Sequence, residues 1–289
     1  MTIAVAWVRR TKRGAEEVVL CSDSRLNGGG NLDSSPKVFQ LPRADSGMAV
    51  AGTTLIGYPF FMQVSHAISS HYPMKAGVID YLPFRSYVLR LMNELHQGFD
   101  TYVRDFKEPD TEFLLAGYSW FKKSFHIDRI SYNKGEKRFT VRQCTVGIGN
   151  FGKILFIGDY APVALRRLYT LLRERFGDDA VKRESEEPFK FDMEPFEVVV
   201  QLLREADDKS TIGGPPQLLA IPQHMHSKHL AVYWPRKEAG QVFVNGRPVF
   251  GFENLDNWIL DPDTLLKEHM FLGAPRSELE RINQGTRNR

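Results

Sequence analysis

The chain of 289 residues is poor in cysteine and contains no long apolar run. Its two cysteines, Cys21 and Cys144, cannot build a disulfide framework, which favours a reducing compartment. No apolar stretch approaches the roughly 20 residues of a membrane-spanning helix. The N-terminus is apolar before it is basic, the reverse of the order in a secretory signal. We therefore expect a cytoplasmic protein without a membrane partner.

The chain also lacks a strong charge of either sign, because 38 Lys and Arg balance 35 Asp and Glu to a net +3. A nucleic-acid partner normally demands a concentrated basic face, so none is predicted. Neither Gly-x-Ser-x-Gly nor His-Glu-x-x-His occurs. His224, His226 and His229 are closely spaced but have no evident carboxylate partner. We predict no metal and no other cofactor.

What the chain does contain is an ordered series of strand and helix patterns. Residues 2–8 and 17–22 alternate and are rich in β-formers, which predicts an N-terminal hairpin. Apolar residues about four apart predict a first helix through Ile56, Phe60, Val64 and Ile68. The same spacing predicts a second helix through Tyr87, Leu91, Leu95, Phe99 and Val103. Later strands are predicted at 112–119, 124–132, 138–142, 217–221 and 230–234, and later helices at 162–175 and 194–206.

This order of elements predicts an α+β fold in which two sheets stack face to face between outer helices, a four-layer αββα sandwich. Residues 1–235 are predicted to form one domain, since no linker or repeat divides them. Residues 236–289 are predicted to be a C-terminal extension with a hairpin at Asn245-Gly246, a short helix near 263–270 and a disordered end. The charged stretch 177–192 is predicted to be an exposed insertion.

Several short motifs resemble, in order, those of proteasome β subunits and their bacterial relatives. They are Thr2-Ile3-Ala4-Val5, Cys21-Ser22-Asp23-Ser24-Arg25, Pro36-Lys37-Val38, Ala49-Val50-Ala51-Gly52, Phe156-Ile157-Gly158-Asp159-Tyr160 and Ile212-Gly213-Gly214. The likeness covers roughly residues 2–235. It implies the sandwich of the N-terminal-nucleophile hydrolases and a homo-oligomeric ring or stack, and it allows a separate unfoldase partner.

Thr2 is the nucleophile that this resemblance implies, once Met1 is removed. A threonine hydroxyl attacks poorly near neutral pH unless a base is close. A free N-terminal amine, with a pKa near 8, is partly neutral there and can serve as that base. The resemblance assigns Lys37 to activation of the hydroxyl, because a nearby cation lowers the pKa of the hydroxyl and of the amine. It assigns Asp23 to holding Lys37.

Further roles follow from the same resemblance. The amide of Gly52 would donate to the oxyanion of the tetrahedral intermediate. Asn27 and Val50 match positions that contact the substrate backbone and shape the first specificity pocket. Asp159 replaces a serine of the family; it could hydrogen-bond the α-amine, although it would favour the charged form of that amine.

Three functions therefore stay open. The first is a threonine-type amide hydrolase that acts on peptides. The second is a catalytically silent proteasome-like subunit, favoured by Asp159 and by an Asp-x-x-Ser pattern that is out of register before Gly213. The third keeps Thr2 as nucleophile but acts on small amides. The residues predicted to contact neighbouring subunits lie on the first helix and are Phe60, Phe61 and Met62.

Overall fold

The computed structural model describes residues 2–11, 14–28, 30–98, 108–144, 148, 151–182, 189–223 and 226–272. These residues form a mixed α and β structure whose two large sheets are mainly antiparallel. The predicted disordered end beyond residue 272 lies outside this description, as do Phe99 and Val103 of the second predicted helix. Within the described ranges, no helix combines the length and the apolar character needed to cross a membrane.

The helices agree with the predicted apolar row in the first predicted helix but not in the second, whose buried residues are Tyr81, Phe84, Val88 and Met92 while the predicted Tyr87 is exposed. The helices are α1 (Thr54–Ser70), α2 (Tyr72–Lys75), α3 (Tyr81–Gln97), α4 (Ala161–Phe176), α5 (Asp178–Lys182) and α6 (Glu194–Glu205). The row predicted for α1 is the buried one, and it includes Phe60 at 1% exposure. The prediction that Phe60 contacts a neighbouring subunit is therefore wrong, because the helical period directs it into the core. Phe61 stacks on Phe39, whereas Met62 is 53% exposed.

The first sheet contains nine strands and carries the start of the chain in its second strand from one edge. Its main path is β10 (Ile154–Ile157), β1 (Ala4–Arg10), β2 (Glu16–Ser22), β11 (Gln217–Pro222), β12 (Lys228–Tyr233), β13 (Val242–Val244) and β14 (Arg247–Pro248). Two further strands attach through β12, namely β15 (Leu255–Leu260) and β16 (Lys267–Leu272). Since β1 pairs antiparallel with both β2 and β10, the N-terminal segment is held on both sides.

The second sheet is a meander of five antiparallel strands. They are β5 (Val38–Gln40), β6 (Ser46–Gly52), β7 (Thr111–Ser119), β8 (Ser124–Asn133) and β9 (Arg138–Gln143). A separate two-stranded ribbon consists of β3 (Leu26–Asn27) and β4 (Asn31–Leu32).

Three apolar clusters connect the sheets and helices. One cluster joins the two sheets through small side chains such as Ala4 and Ala6 of β1 and Ala49 of β6. Because successive strand residues point to opposite faces, Val5 of β1 lies instead in a cluster with α4 and α6. A third cluster joins β6–β8 to α1 and α3. These small side chains allow the two sheets to pack closely against each other near the start of β1.

The charged stretch 177–192 is not the plain exposed insertion that we predicted. Ala180 and Phe191 are buried in the cluster of α4 and α6. Phe151 stacks on Phe191 with ring centroids 5.2 Å apart. Residues 183–188 lie outside the described ranges. The apolar residues at both ends of the stretch therefore pack against the domain despite the charges around them.

The C-terminal strands extend the first sheet rather than forming a separate body. The predicted hairpin at Asn245-Gly246 is confirmed, since these residues join β13 to β14. The helix predicted near residues 263–270 is wrong, because β16 begins at Lys267 and pairs along its length with β15. Ladder hydrogen bonds to a neighbouring strand outweigh the weak local helix preference of this segment.

Candidate active site

Three predicted residues meet at the N-terminal end of β1. Thr2 is 2% exposed and lies two residues before the first residue of that strand. The Nζ atom of Lys37 donates to Oγ1 of Thr2 at 2.9 Å and to Oδ1 of Asp23 at 2.8 Å. The three side chains come from the start of β1, the turn after β2 and the residue before β5. The fold thus places a hydroxyl, an ammonium and a carboxylate in one buried row.

The Asp23 carboxylate is held by the backbone as well as by Lys37. Its Oδ1 accepts the N–H of Ile3 at 3.2 Å. Its Oδ2 accepts the N–H groups of Arg25 at 3.1 Å and Gly213 at 3.2 Å. Burial raises the pKa of Asp23, while the Lys37 ammonium and the backbone donors act against that rise. Because so many donors face the carboxylate, we assign it the ionised form.

Lys37 is only 2% exposed, and this burial lowers the pKa of its ammonium below the usual value for lysine. The charge of Asp23 opposes the effect and favours the protonated form of Lys37. A buried cation beside the Thr2 hydroxyl stabilises the developing alkoxide more strongly than an exposed one would. The same cation disfavours a second positive charge nearby, such as a protonated α-amine.

Gln217 is a supporting residue that sequence reasoning missed. Its Oε1 accepts the backbone N–H groups of Lys37 at 2.9 Å and Val38 at 3.2 Å. Its Nε2 donates to the carbonyls of Asp23 at 3.2 Å and Ser35 at 2.6 Å. The side chain is fully buried, so its amide must be satisfied by protein groups. The sequence offered one signal for this role, which is a glutamine at the first position of an otherwise apolar strand.

Arg25 supports the loops behind this row rather than Thr2 itself. It forms a two-pronged ion pair with Asp33, with N–O distances of 2.6 and 2.8 Å. Its Nη1 also donates to the carbonyls of Asp207 and Ser210. There is no room for a Cβ at Gly213, where it would overlap the guanidinium of Arg25. The arginine therefore ties the turn after β2 to the loop before β11.

Before Gly213, where Asp208 and the hydroxyls of Ser210 and Thr211 are out of register with the family pattern, Ser210 binds Asp207 instead. Ser210 Oγ donates to Asp207 Oδ1 at 2.7 Å, and the side chain of Asp207 is exposed. Neither residue lines the cavity at Thr2. Their visible role is to present backbone carbonyls to Arg25.

A cavity of about 620 Å³ opens at Thr2. Its walls include the predicted residues Asn27, Gly52 and Asp159. The remaining wall residues are Leu26, Ala51, Thr53, Thr54, Leu55, Asp110, Glu112, Arg129, Phe156, Ile157, Gly158, Ala161 and Pro162. Gly52 has φ +99°, and a Cβ there would overlap the carbonyl oxygen of Asp110, so only glycine fits.

Val50 does not line this cavity, contrary to the prediction that it shapes the first specificity pocket. Its side chain is 4% exposed and belongs to the cluster beneath α1. A Cβ at Gly57 of α1 would lie 2.5 Å from Cγ1 of Val50. Because side chains alternate along β6, the neighbouring Ala51 faces the cavity instead.

The opposite wall of the cavity holds a charged group that sequence reasoning also missed. Glu112 pairs with Arg129 and accepts the N–H of Gly158 at 3.3 Å. Gly158 has φ +89°, and a Cβ there would overlap the carbonyl oxygen of Thr2. Glu112 therefore fixes the loop that packs on the Thr2 backbone. Asp159 follows in that loop and is exposed at the rim.

Other nucleophilic and metal-binding groups are not arranged as a second centre in the described part of the chain. Cys21 and Cys144 are unbridged and buried, and burial raises the pKa of the Cys21 thiol. No group of three or more His, Cys, Asp or Glu is placed to hold a metal ion among these residues. His224 lies outside them, while His226 is exposed and His229 is largely buried.

Comparisons with models of known protein families and with curated proteins found no match for this chain. The resemblance to proteasome β subunits accordingly remains a prediction. The geometry itself offers a hydroxyl, an adjacent cation, a buried carboxylate and a cavity beside them. These are the groups that acyl transfer requires.

Proposed function

We propose that this protein is a threonine-type amide hydrolase whose nucleophile is Oγ1 of Thr2. The proposal rests on the position of Lys37 Nζ, which lies 2.9 Å from Thr2 Oγ1 and 2.8 Å from Asp23 Oδ1. The Asp23 carboxylate balances the buried charge of Lys37, and the ammonium still has N–H groups that can donate elsewhere. Its second contact, to a hydroxyl at the wall of a cavity, fits activation of a nucleophile.

The proposed reaction begins when removal of the residue before Thr2, Met1, frees the α-amine. The neutral amine takes the proton of the Thr2 hydroxyl, and Oγ1 attacks the carbonyl carbon of the substrate amide. Lys37 stabilises the negative charge on Oγ1, and the N–H of Gly52 receives the oxyanion. The amine then gives its proton to the leaving nitrogen as the C–N bond breaks. Water hydrolyses the resulting ester and restores Thr2.

The proposed substrate is a peptide, with small amides as the alternative within the same chemistry. A cavity of about 620 Å³ is large enough for several non-hydrogen groups on either side of a scissile amide. Asn27, on the β3–β4 ribbon at the cavity wall, is placed to contact an extended backbone. A series of substrates of increasing length would separate the two alternatives.

The proposed architecture is the four-layer αββα sandwich of N-terminal-nucleophile hydrolases. It is supported by the three apolar clusters, which in order join helices to sheet, sheet to sheet and sheet to helices. Assembly into a homo-oligomeric ring or stack in the cytoplasm, with or without an unfoldase, is part of the proposal. Leu55 and Met62 support it, because both are exposed on the same side of α1, two turns apart. Native mass spectrometry that finds only monomer would reject the assembly.

The test of function compares amide hydrolysis by the wild type, Thr2→Ala and Thr2→Ser, after mass spectrometry has established that each chain begins at residue 2. Thr2→Ala should lose all turnover, because it lacks the attacking oxygen. Thr2→Ser should keep part of it, because its hydroxyl can still meet Lys37. Equal hydrolysis by wild type and Thr2→Ala would reject Thr2 as nucleophile.

The second candidate is a catalytically silent subunit, and the Asp207–Ser210 pair favours it. This pair binds Arg25 rather than the α-amine region of Thr2. Asp159 at the rim would also favour a charged amine, which cannot act as a base. Absence of turnover in a wild type that carries a free Thr2 amine would favour this candidate.

A further inference from the structure

The tip of the β13–β14 hairpin, Asn245 and Gly246, reaches the back of the candidate active site. Asn245 has φ +50° and Gly246 has φ +82°, which are the paired left-handed conformations of a tight two-residue turn. Gly246 is buried, although the turn connects the short strands of a C-terminal hairpin. A hairpin tip is normally a solvent-facing element, so its burial here calls for a specific cause.

Gly246 packs directly on Ser24 and Gln217, which lie behind the candidate active site. A Cβ at this position would lie 2.6 Å from Cβ of Ser24 and 2.9 Å from Nε2 of Gln217. Real Cβ atoms do not approach other heavy atoms this closely, so any larger residue must displace a neighbour or the hairpin. Both neighbours are fully buried and cannot swing into solvent.

These two neighbours in turn fix Lys37. Gln217 Oε1 accepts the backbone N–H of Lys37, and Gln217 Nε2 is held by the carbonyls of Asp23 and Ser35. Ser24 completes the same frame, since its carbonyl accepts the N–H of Ser35 at 3.0 Å. A shift of the Gln217 amide would therefore move both ends of the Lys37–Asp23 pair. The hairpin tip also covers this frame and keeps water away from it.

The side chain of Asn245 contacts His229 of strand β12 and so attaches the hairpin tip to the sheet. Its Oδ1 is buried and has no hydrogen-bond partner within normal geometry. Nδ1 of His229, on the adjacent strand β12, is buried in the same way, and the contact between the two side chains acts against the fall in the pKa of His229 that burial causes. Because Asn245 Oδ1 and His229 Nδ1 make no hydrogen bond of normal geometry, they hold the hairpin tip less firmly than a full hydrogen bond would. The position of Gly246 thus depends on close packing.

We propose that Gly246 is a positioning residue, and that the C-terminal hairpin sets the distance between Lys37 Nζ and Thr2 Oγ1 by pressing on Gln217 and Ser24. This inference rests on the proposed function for its kinetic consequence, but its geometric consequence is independent of catalysis. It makes the hairpin a required part of the site, although the hairpin contributes no group to the chemistry.

The test is Gly246→Ala, with Gly240→Ala as the matched control. Gly240 also has a left-handed backbone, with φ +69°, but no heavy atom lies within 4 Å of a Cβ built there. It therefore carries the conformational strain without the contact. Crystal structures of both variants would report the Lys37 Nζ to Thr2 Oγ1 distance, and steady-state kinetics would report kcat and KM.

Gly246→Ala should lengthen the distance from 2.9 Å to beyond about 3.5 Å, where a hydrogen bond is lost. It should lower kcat about 10- to 100-fold while changing KM less than about 2-fold, because a misplacement near 1 Å affects the reacting groups before substrate binding. Gly240→Ala should keep both the distance and kcat. Equal effects of the two variants, or an unchanged distance in Gly246→Ala, would overturn the proposal.

If Gly246→Ala fails to fold, a second variant tests whether the hairpin sets the Lys37 Nζ to Thr2 Oγ1 distance. Asn245→Gly retains the left-handed turn and removes the side chain whose Oδ1 is buried against β12. We expect a smaller lengthening of the same Nζ to Oγ1 distance, and a folded variant with the wild-type distance would overturn the proposal. If the wild type proves inactive, the proposed function fails while the distances still test the role of Gly246.

Discussion

Lys37 and Asp23 form an ion pair that is almost wholly removed from water. The N–O distance is 2.8 Å, and the side chains are 3% and 0% exposed. A buried pair of this kind adds little net stability, because the desolvation of both charges offsets their attraction. Its presence in the core is therefore better explained by the second contact of Lys37, to Thr2 Oγ1. The pair supplies a cation at a fixed place beside the proposed nucleophile.

Breaking this pair from one side should be more costly than removing both charges. Lys37→Met leaves the Asp23 carboxylate buried and unpaired, so we expect a loss of about 3–5 kcal/mol in the free energy of unfolding. The double variant Asp23→Asn/Lys37→Met removes both charges and should recover most of that loss. Neither variant should hydrolyse amides, since both lack the cation. Urea unfolding and a hydrolysis assay measure the two effects.

Arg138→Met is the matched control for the ion pair. Arg138 pairs with Glu136 at 2.7 Å, but both side chains are about half exposed or more. An exposed pair contributes roughly 0–1 kcal/mol, so this variant should unfold nearly as the wild type does. A double variant that is no more stable than Lys37→Met alone would contradict the account of the buried pair.

Gly52→Ala should destabilise the protein more than Gly177→Ala does. Both glycines have positive φ, +99° and +83°. A Cβ at Gly52 would overlap the Asp110 carbonyl, whereas nothing lies within 4 Å of a Cβ at Gly177. Backbone strain alone costs about 1–3 kcal/mol at such positions, and the overlap at Gly52 should add a further loss of roughly 1–2 kcal/mol there. Similar melting temperatures for the two variants would show that the backbone at Gly52 can move away.

His229 should make the fold sensitive to mild acid. Burial lowers its pKa below the usual 6.5, so the unfolded chain takes up a proton at a higher pH than the folded protein does. Its contribution to stability is therefore complete above about pH 6.5 and is lost as the pH falls from there towards the lower folded pKa. The slope cannot exceed about 1.4 kcal/mol per pH unit for one proton.

Urea unfolding of wild type and His229→Gln between pH 7.5 and 5 measures this effect. The glutamine does not titrate, so the variant should lose stability less steeply with falling pH. His66→Gln, at an exposed position of α1, serves as the control and should keep the wild-type slope. Parallel curves for wild type and His229→Gln would contradict the prediction.

Local sequence patterns predicted most of the elements that build the site. The row Ile56, Phe60, Val64 and Ile68 marked the buried face of α1, and the alternation over residues 2–8 marked β1. The motif resemblance selected Thr2, Asp23 and Lys37, which the fold brings together. Local periodicity is informative because each element must bury one apolar face.

Contacts between residues far apart in the sequence could not be predicted from local patterns. Gln217 is separated from Lys37 by 180 positions, and Gly246 reaches Ser24 only because β13 pairs with β12. The β16 strand was mistaken for a helix because its pairing with β15 decides its conformation. Val50 and Ala51 differ in the face of β6 that they occupy, and this depends on a register that local composition does not show.

The central claim is that Thr2 Oγ1 attacks a carbonyl carbon, and covalent trapping tests it most directly. Wild type whose chain begins at Thr2 would be incubated with a peptide that ends in an electrophilic carbonyl, beside Thr2→Ala and Lys37→Met. Mass spectrometry should find one adduct per wild-type chain, on the N-terminal peptide at Thr2, none on Thr2→Ala, and much slower labelling of Lys37→Met. Failure of the wild type to react, or equal labelling of Thr2→Ala, would contradict the account.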